Sequence, residues 1–158
     1  MDMTDENVST EVSSDELIAA ADEYETYRVM NVVSVTYLLP DPHPEVNLQE
    51  AEAPFRSLGV TVALADAQAI AMALEGRSNP RPSTHELFVS TLQGVNVDVI
   101  AVRIVKQEQG VYYAELDLMS PRGQVTIPCR LTDGLAIALR QVVPAPVLCA
   151  ESVLKEHF

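Results

Sequence analysis

Two stretches of the chain repeat the same order of apolar and polar positions. In the first, Val60-Thr61-Val62 precedes a run from Leu64 to Met72; in the second, Val125-Thr126-Ile127 precedes a run from Leu131 to Leu139. β-branched residues favour strands, and an almost uninterrupted apolar run favours a helix that is buried on more than one side. The repetition therefore predicts a strand–turn–helix unit that occurs twice.

Alternating apolar and polar residues predict further strands around both helices. The predicted strands cover Val29–Leu39, Glu45–Ala53, Arg56–Ala63, Val95–Lys106, Val111–Met119, Gln124–Ile127 and Ala145–Cys149. The predicted helices cover Leu64–Glu75, the segment between Ser83 and Gly94, the segment after Asp133, and Glu151–His157. This order indicates an α+β fold, which we predict to be a single domain of two similar strand-strand-strand-helix halves joined by a linking helix.

Local residue types add detail to this prediction. Pro128 has no N–H, so ladder pairing is expected to stop there. Ser83 or Thr84 is expected to cap the linking helix. The apolar positions of that helix are Leu87, Phe88, Val89 and Leu92. The positions expected on one face of the strand after it are Val97, Val99, Ala101 and Arg103.

Charge divides the 158 residues into two parts. Residues 1–28 hold nine acidic residues and one basic residue, and they are expected to form an acidic arm, disordered over 1–13 and helical or frayed from Ser14 to about Tyr27. Residues 29–158 are expected to form the folded domain, and they carry 14 acidic and nine basic residues. A nucleic-acid-binding domain is usually basic, so this balance argues against such a partner. The arm itself is a solvated tail or a mimic of nucleic acid.

Several classes of protein are disfavoured. No apolar run approaches the ~20 residues that span a bilayer, so no membrane association is expected. The acidic start of the chain lacks a signal peptide, and Cys129 and Cys149 lie in apolar surroundings without metal-ligand spacing, which together indicate a cytoplasmic protein with reduced thiols. No HExxH, P-loop, GxGxxG or GxSxG motif is present.

Four short motifs follow one another along residues 29–155. They are Pro80-Arg81-Pro82-Ser83-Thr84-His85-Glu86-Leu87, Tyr112-Tyr113-Ala114-Glu115-Leu116, Arg130-Leu131-Thr132-Asp133-Gly134-Leu135-Ala136-Ile137-Ala138 and Ala145-Pro146-Val147. In this order and spacing they resemble the bacterial and plant bifunctional nuclease family. The chain departs from that family's pattern before the first buried helix, where an aromatic residue is absent, Ala63 replaces glycine and Asp66 replaces glutamate. Leu131-Thr132 stands where the family has Pro-Ser, so the resemblance is to a divergent member.

The resemblance implies that the protein cuts DNA and RNA with little sequence preference, and with a divalent metal. Such hydrolysis needs charge stabilisation at the phosphate, an activated water and usually a metal held by carboxylates. The candidate catalytic residues are His85, Arg81, Arg130 and Asp133. The candidate substrate-binding residues are Arg81, Arg130 and Tyr113. The candidate ligands for Mg²⁺ or Mn²⁺ are Asp66, Asp133 and Glu86.

Each candidate also has a structural interpretation. Asp66 and Asp133 stand at helix starts, where capping explains them without metal. His85 can bond backbone, Arg81 can pair with a carboxylate, and Glu86 can favour the helix dipole. One of the two tyrosines at 112 and 113 is expected in the core and the other at an interface or on a base. The alternative function is therefore a non-catalytic interaction or regulatory module on the same fold, and a homo-oligomer is expected because edge strands need covering.

Overall fold

The structure, a computed structural model, describes residues 25–158 as one α+β domain with a seven-stranded sheet and four helices. The strands are β1 (Tyr27–Thr36), β2 (Glu45–Glu50), β3 (Ser57–Thr61), β4 (Asp98–Glu108), β5 (Val111–Ser120), β6 (Gly123–Arg130) and β7 (Val147–Ala150). The helices are α1 (Leu64–Leu74), α2 (Thr84–Gly94), α3 (Leu131–Leu139) and α4 (Glu151–His157). The predicted order of elements is thus observed. The predicted arm lies largely outside the described residues, although Tyr27, expected to end its helix, instead begins β1.

The sheet places its shortest and last strand in the middle. The strand order is β3-β2-β1-β7-β4-β5-β6, so β3 and β6 form the two edges. β7 pairs antiparallel with β1 and parallel with β4, while all other neighbours are antiparallel. Helices α1 and α3 pack against each other, and α3 also contacts β4, β5 and β6. None of the helices in residues 25–158 has the length and apolar character needed to cross a bilayer.

Helix α3 forms the centre of the core, as its apolar sequence predicts. Leu135, Ala136 and Ala138 have no exposed surface, and Leu131 and Ile137 are also buried. Gly134 allows α3 to lie close to β4, because a Cβ at this position would come within 2.5 Å of Val102 Cγ2 and 3.2 Å of Cys129 Sγ. The first turn of α3 is therefore packed closely against the sheet.

Three local predictions are wrong. β6 continues through Pro128 to Arg130, with Pro128 opposite Glu115. A missing N–H is tolerated here because β6 is an edge strand and its outer side has no neighbour within the described residues. Asp66 and Asp133 do not cap their helices: the N-cap residues are Ala63 and Arg130, and neither helix has a side-chain cap.

The buried faces predicted for β4 and α2 also differ from those in the structure. The register of β4 shifts between Val99 and Ala101, so that Ala101 and Val102 are both buried and strict alternation fails. In α2 only Val89 is buried, whereas Leu87 is 60% exposed and Phe88 is 42% exposed. The exposure of Phe88 bears on the site described below.

Candidate functional site

Four of the candidate residues converge where three helices begin. The His85 Nε2 atom lies 2.8 Å from Asp133 Oδ1. Arg130 donates from Nε to Asp133 Oδ2 at 2.7 Å and from Nη2 to Oδ1 at 2.9 Å. The same guanidinium lies 3.5 Å from both carboxylate oxygens of Asp66. We call these four residues, His85, Asp133, Arg130 and Asp66, the Arg130 cluster.

Local structure fixes the positions of the cluster residues. His85 and Asp133 lie in the first turns of α2 and α3, which contact each other, and Asp66 lies in the first turn of α1. Arg130 ends β6 and directly precedes α3, so it reaches Asp133 at i+3 and Asp66 across the contact between α1 and α3. The doubled strand–turn–helix pattern therefore brings its two acidic residues to one arginine.

A capping box sets the first turn of α2. The Glu86 N–H donates to Ser83 Oγ at 3.3 Å, and Glu86 Oε2 accepts the Ser83 N–H at 2.7 Å. This confirms the predicted cap and fixes the direction in which the neighbouring His85 side chain leaves the helix.

Asp133 is ionised in this arrangement. The hydrogen bonds from Arg130 are the main cause that lowers the pKa of Asp133, burial opposes the shift, and His85 lowers the pKa further. Asp133 reciprocally raises the pKa of Arg130. An ionised carboxylate only accepts hydrogen bonds, so the Nε2 atom of His85 must carry the proton in their contact. In neutral His85 the Nδ1 lone pair is then left as the basic position.

The cluster does not fit a metal ion. The guanidinium of Arg130 lies between Asp66 and Asp133, in the place that a cation bridging the two carboxylates would take. Across residues 25–158, no group of three or more His, Cys, Asp or Glu side chains is arranged to hold a metal. Glu86, the third candidate ligand, faces other partners.

Glu86 serves the segment before α2. Its carboxylate accepts from the backbone N–H and the side-chain amide of Asn79 and from Ser83, and it lies 3.5 Å from Arg140 Nη1. The side-chain hydrogen bond from Asn79 and the backbone bond from Ser83 lower the pKa of Glu86 to about 2. The structure thus separates Glu86 from the Arg130 cluster.

The other two candidates are exposed residues outside the Arg130 cluster. Arg81 is exposed in the loop before α2 and makes no hydrogen bond or ion pair with any residue of the described chain. Tyr113 is exposed on β5 directly opposite Arg130, and Lys106 Nζ lies 4.7 Å from its ring centroid. Tyr112, on the other face, packs against the core, which confirms that the two rings point in opposite directions.

Two cavities flank Arg130. One, of about 320 Å³, lies on the Asp66 side and is bordered by Tyr112 and the end of β3. The other, of about 450 Å³, lies on the His85 side between α2, β6 and α3. Its lining includes one phenylalanine, Phe88, which is 42% exposed and which the sequence had suggested as a packing residue of α2. The sequence contained one signal that Phe88 lies beside His85. The two residues are three positions apart, and residues i and i+3 share one face of a helix.

The thiols are unreactive in this environment. Burial is the main cause that raises the pKa of Cys129 to about 11 and of Cys149 to about 12. Both are free cysteines, as predicted. Cys129 therefore contributes to the wall of the larger cavity as an apolar group and not as a nucleophile.

Comparison with known proteins agrees with the motif pattern. A family model described as bifunctional nuclease domain matches residues 46–158. Two proteins of Mycobacterium tuberculosis, from strains CDC 1551 / Oshkosh and ATCC 25618 / H37Rv, are each 33% identical over 127 residues. The match covers 80% of this chain and 74% of each relative, and both relatives are named only as uncharacterized.

Proposed function

The chain belongs to the bifunctional nuclease domain family, and from that premise we propose that it hydrolyses phosphodiester bonds of DNA and RNA with little sequence preference. The observation that supports this most is the hydrogen-bonded series His85–Asp133–Arg130. It combines a group that can take a proton, a carboxylate that orients that group, and a planar cation suited to phosphate.

In the proposed reaction, Arg130 binds the phosphate. Its side chain is 66% exposed, and its contacts to Asp66 are long enough to be exchanged for phosphate oxygens while the bonds to Asp133 remain. Water attacks the phosphorus as His85 Nδ1 takes its proton, and the P–O bond to the leaving oxygen breaks. The imidazolium, stabilised by Asp133, then returns the proton to the leaving oxygen.

The remaining candidates are proposed as substrate contacts. Arg81 is exposed and has no carboxylate partner among the described residues, so it suits a phosphate next to the one that is cleaved. The exposed ring of Tyr113 suits stacking near Arg130. We also propose that the chain arose from two similar halves, since Asp66 and Asp133 occupy matching positions of the repeated pattern and share one arginine.

The test is degradation of plasmid DNA and of RNA, with and without EDTA. We expect His85→Ala and Arg130→Ala to lower the rate by roughly 10²-fold or more, the usual contribution of a positioned proton-transfer group. Arg122→Ala is the matched control, because Arg122 is an exposed arginine in the turn at the other end of β6. Equal rates in all variants would place the activity elsewhere, and loss of activity in EDTA would require a metal that this scheme does not use.

A non-catalytic module is the second candidate function. It is favoured by the exposed apolar side chains of Val125 and Ile127 on the edge strand β6. Such a surface suits self-association or binding of a protein partner. We also propose that the protein is cytoplasmic and forms a homo-oligomer. Binding through β6 would persist as the salt concentration rises, whereas phosphate-driven binding weakens steeply.

A further inference from the structure

The larger cavity beside Arg130 has apolar walls and a charged rim. The walls come from Phe88, Leu116, Ile127, Pro128, Cys129 and Ile137. His85, Asp133 and Arg130 line the same cavity, so an occupant would lie next to a phosphate held by Arg130. A volume of about 450 Å³ is in the range of sites for small molecules or for one unit of a polymer.

The charges of the domain do not suit a long polyanion. All ten basic residues lie in the described part of the chain, and seven form ion pairs with carboxylates. The paired residues are Arg28, Arg56, Arg77, Arg103, Lys106, Arg130 and Arg140. Proteins that follow a nucleic-acid backbone neutralise several phosphates with free lysines and arginines. Recognition here must therefore depend mainly on something other than backbone charge.

We infer that this cavity receives one unpaired nucleobase next to the phosphate bound by Arg130, so that single-stranded DNA and RNA are cleaved faster than duplexes. This inference rests on the proposed function and specifies its substrate. A base within a duplex is stacked and paired, and it can enter a pocket only after it has been flipped out at a cost of a few kcal/mol. A single strand presents its bases without that cost.

Phe88 is the residue that carries base recognition. It is 42% exposed in a wall that is otherwise aliphatic, and it lies one turn after His85 on the same face of α2. An exposed aromatic ring stacks on any base, because every base has an aromatic face. Apolar walls offer few partners for the polar edges of bases, which is consistent with little sequence preference.

The first test leaves the protein unchanged. A labelled single-stranded oligonucleotide is compared with the same strand annealed to its complement and with single strands that carry one abasic site at successive positions. Binding is measured by fluorescence anisotropy and cleavage by gel electrophoresis. We expect at least tenfold faster cleavage of the single strand, and loss of cleavage next to the abasic site. Equal cleavage of the single strand and the duplex would overturn the inference.

The second test changes the cavity. Phe88→Ala is expected to weaken single-strand binding about tenfold, within the range for loss of one stacked base. Leu87→Ala is the matched control, since Leu87 is the preceding residue of α2, is 60% exposed and does not line the cavity. Phe88→Leu, which keeps an apolar side chain but loses the ring, serves if the alanine variant does not fold. Unchanged binding in a folded Phe88 variant would overturn the inference.

The two proposals fail in different ways. Cleavage that requires His85 but is equal for single strands and duplexes would overturn the base-binding inference and support the nuclease function. Binding of single strands that depends on Phe88, without any cleavage, would overturn the proposed nuclease function and support base binding in the cavity.

Discussion

Two clusters of arginine and carboxylate illustrate how similar side chains serve different ends in this molecule. In one, Glu50 accepts from Arg28 Nε at 2.8 Å and from Arg56 at 2.8 and 2.9 Å, and Arg56 also binds Glu151 at 2.9 Å. In the other, the Arg130 cluster, a single arginine lies between two carboxylates and a histidine joins one of them.

Access to solvent distinguishes the two. The side chain of Glu50 is 0% exposed and every hydrogen bond that it accepts is short, so this cluster joins β2 to β1 and α4 and presents little to a ligand. Arg130 is largely exposed, lines two cavities and makes only long contacts with Asp66. A paired arginine is therefore a functional candidate when part of its hydrogen-bonding capacity remains accessible.

The largest expected effect is on stability, at the buried cluster. Glu50→Gln removes the buried charge that pairs with Arg28 and Arg56, and breaking a buried ion pair by removing one partner costs about 3–5 kcal/mol. We expect this loss in urea-induced unfolding, with little change in activity per folded molecule. A loss below 1 kcal/mol would show that the two arginines find other partners.

The response to acid should also follow the buried cluster. The side-chain hydrogen bond from Arg56 is the largest cause that lowers the pKa of Glu50 to about 2, against the opposing effect of burial. A carboxyl whose pKa is lower in the folded state stabilises the fold fully above its unfolded value of 4.5, and this stability is lost as the pH falls towards 2. We expect the unfolding midpoint to fall over that range, and to fall less steeply in Glu50→Gln. Parallel curves would contradict the assignment.

A smaller effect is expected from Arg130→Lys. Lysine keeps the charge but cannot form the planar paired contact with Asp133 or phosphate. We expect a decrease of about tenfold in kcat/KM, equivalent to about 1.4 kcal/mol, with the free energy of unfolding nearly unchanged. Wild-type kcat/KM in this variant would mean that charge alone suffices at the phosphate.

The smallest effect is expected from Asp66→Asn. Its contacts to Arg130 are 3.5 Å long and lie at an exposed guanidinium, where an ion pair contributes roughly 0.2–1 kcal/mol and is screened by salt. We expect a stability change within that range that disappears at high salt. Since Asp66 competes with phosphate for Arg130 in our scheme, phosphate binding measured by calorimetry should become slightly tighter.

The sequence predicted the elements better than their arrangement. The period of apolar residues identifies α1, α3 and most strands because it reflects burial of one face, which is a local property. The position of β7 between β1 and β4 depends on pairing between distant segments, so no local pattern contains it. The interpretation of Pro128 failed for the same reason, because a proline is compatible with an edge strand and the sequence does not say which strands are edges.

The sequence predicted which residues form the site but not which of them contact each other. The motif around His85 and the motif around Asp133 each indicated chemistry, yet the contact between them depends on how α2 packs against α3. The caps predicted for Asp66 and Asp133 were wrong because Arg130 offers both carboxylates a charged partner, which a helix N–H does not. The capping box of Glu86 and Ser83 could be predicted from the sequence, because it depends only on the spacing between these two residues.

The central position of β7 has a consequence during synthesis. Strands β1 to β3 and β4 to β6 can each form antiparallel pairs as they leave the ribosome, but they share no strand until residues 147–150 have emerged. The nascent chain therefore exposes two incomplete sheets, each with an open inner edge, until β7 has been translated. A stop codon before Val147 would leave both edges unpaired, and the product would be a substrate for chaperones and proteases.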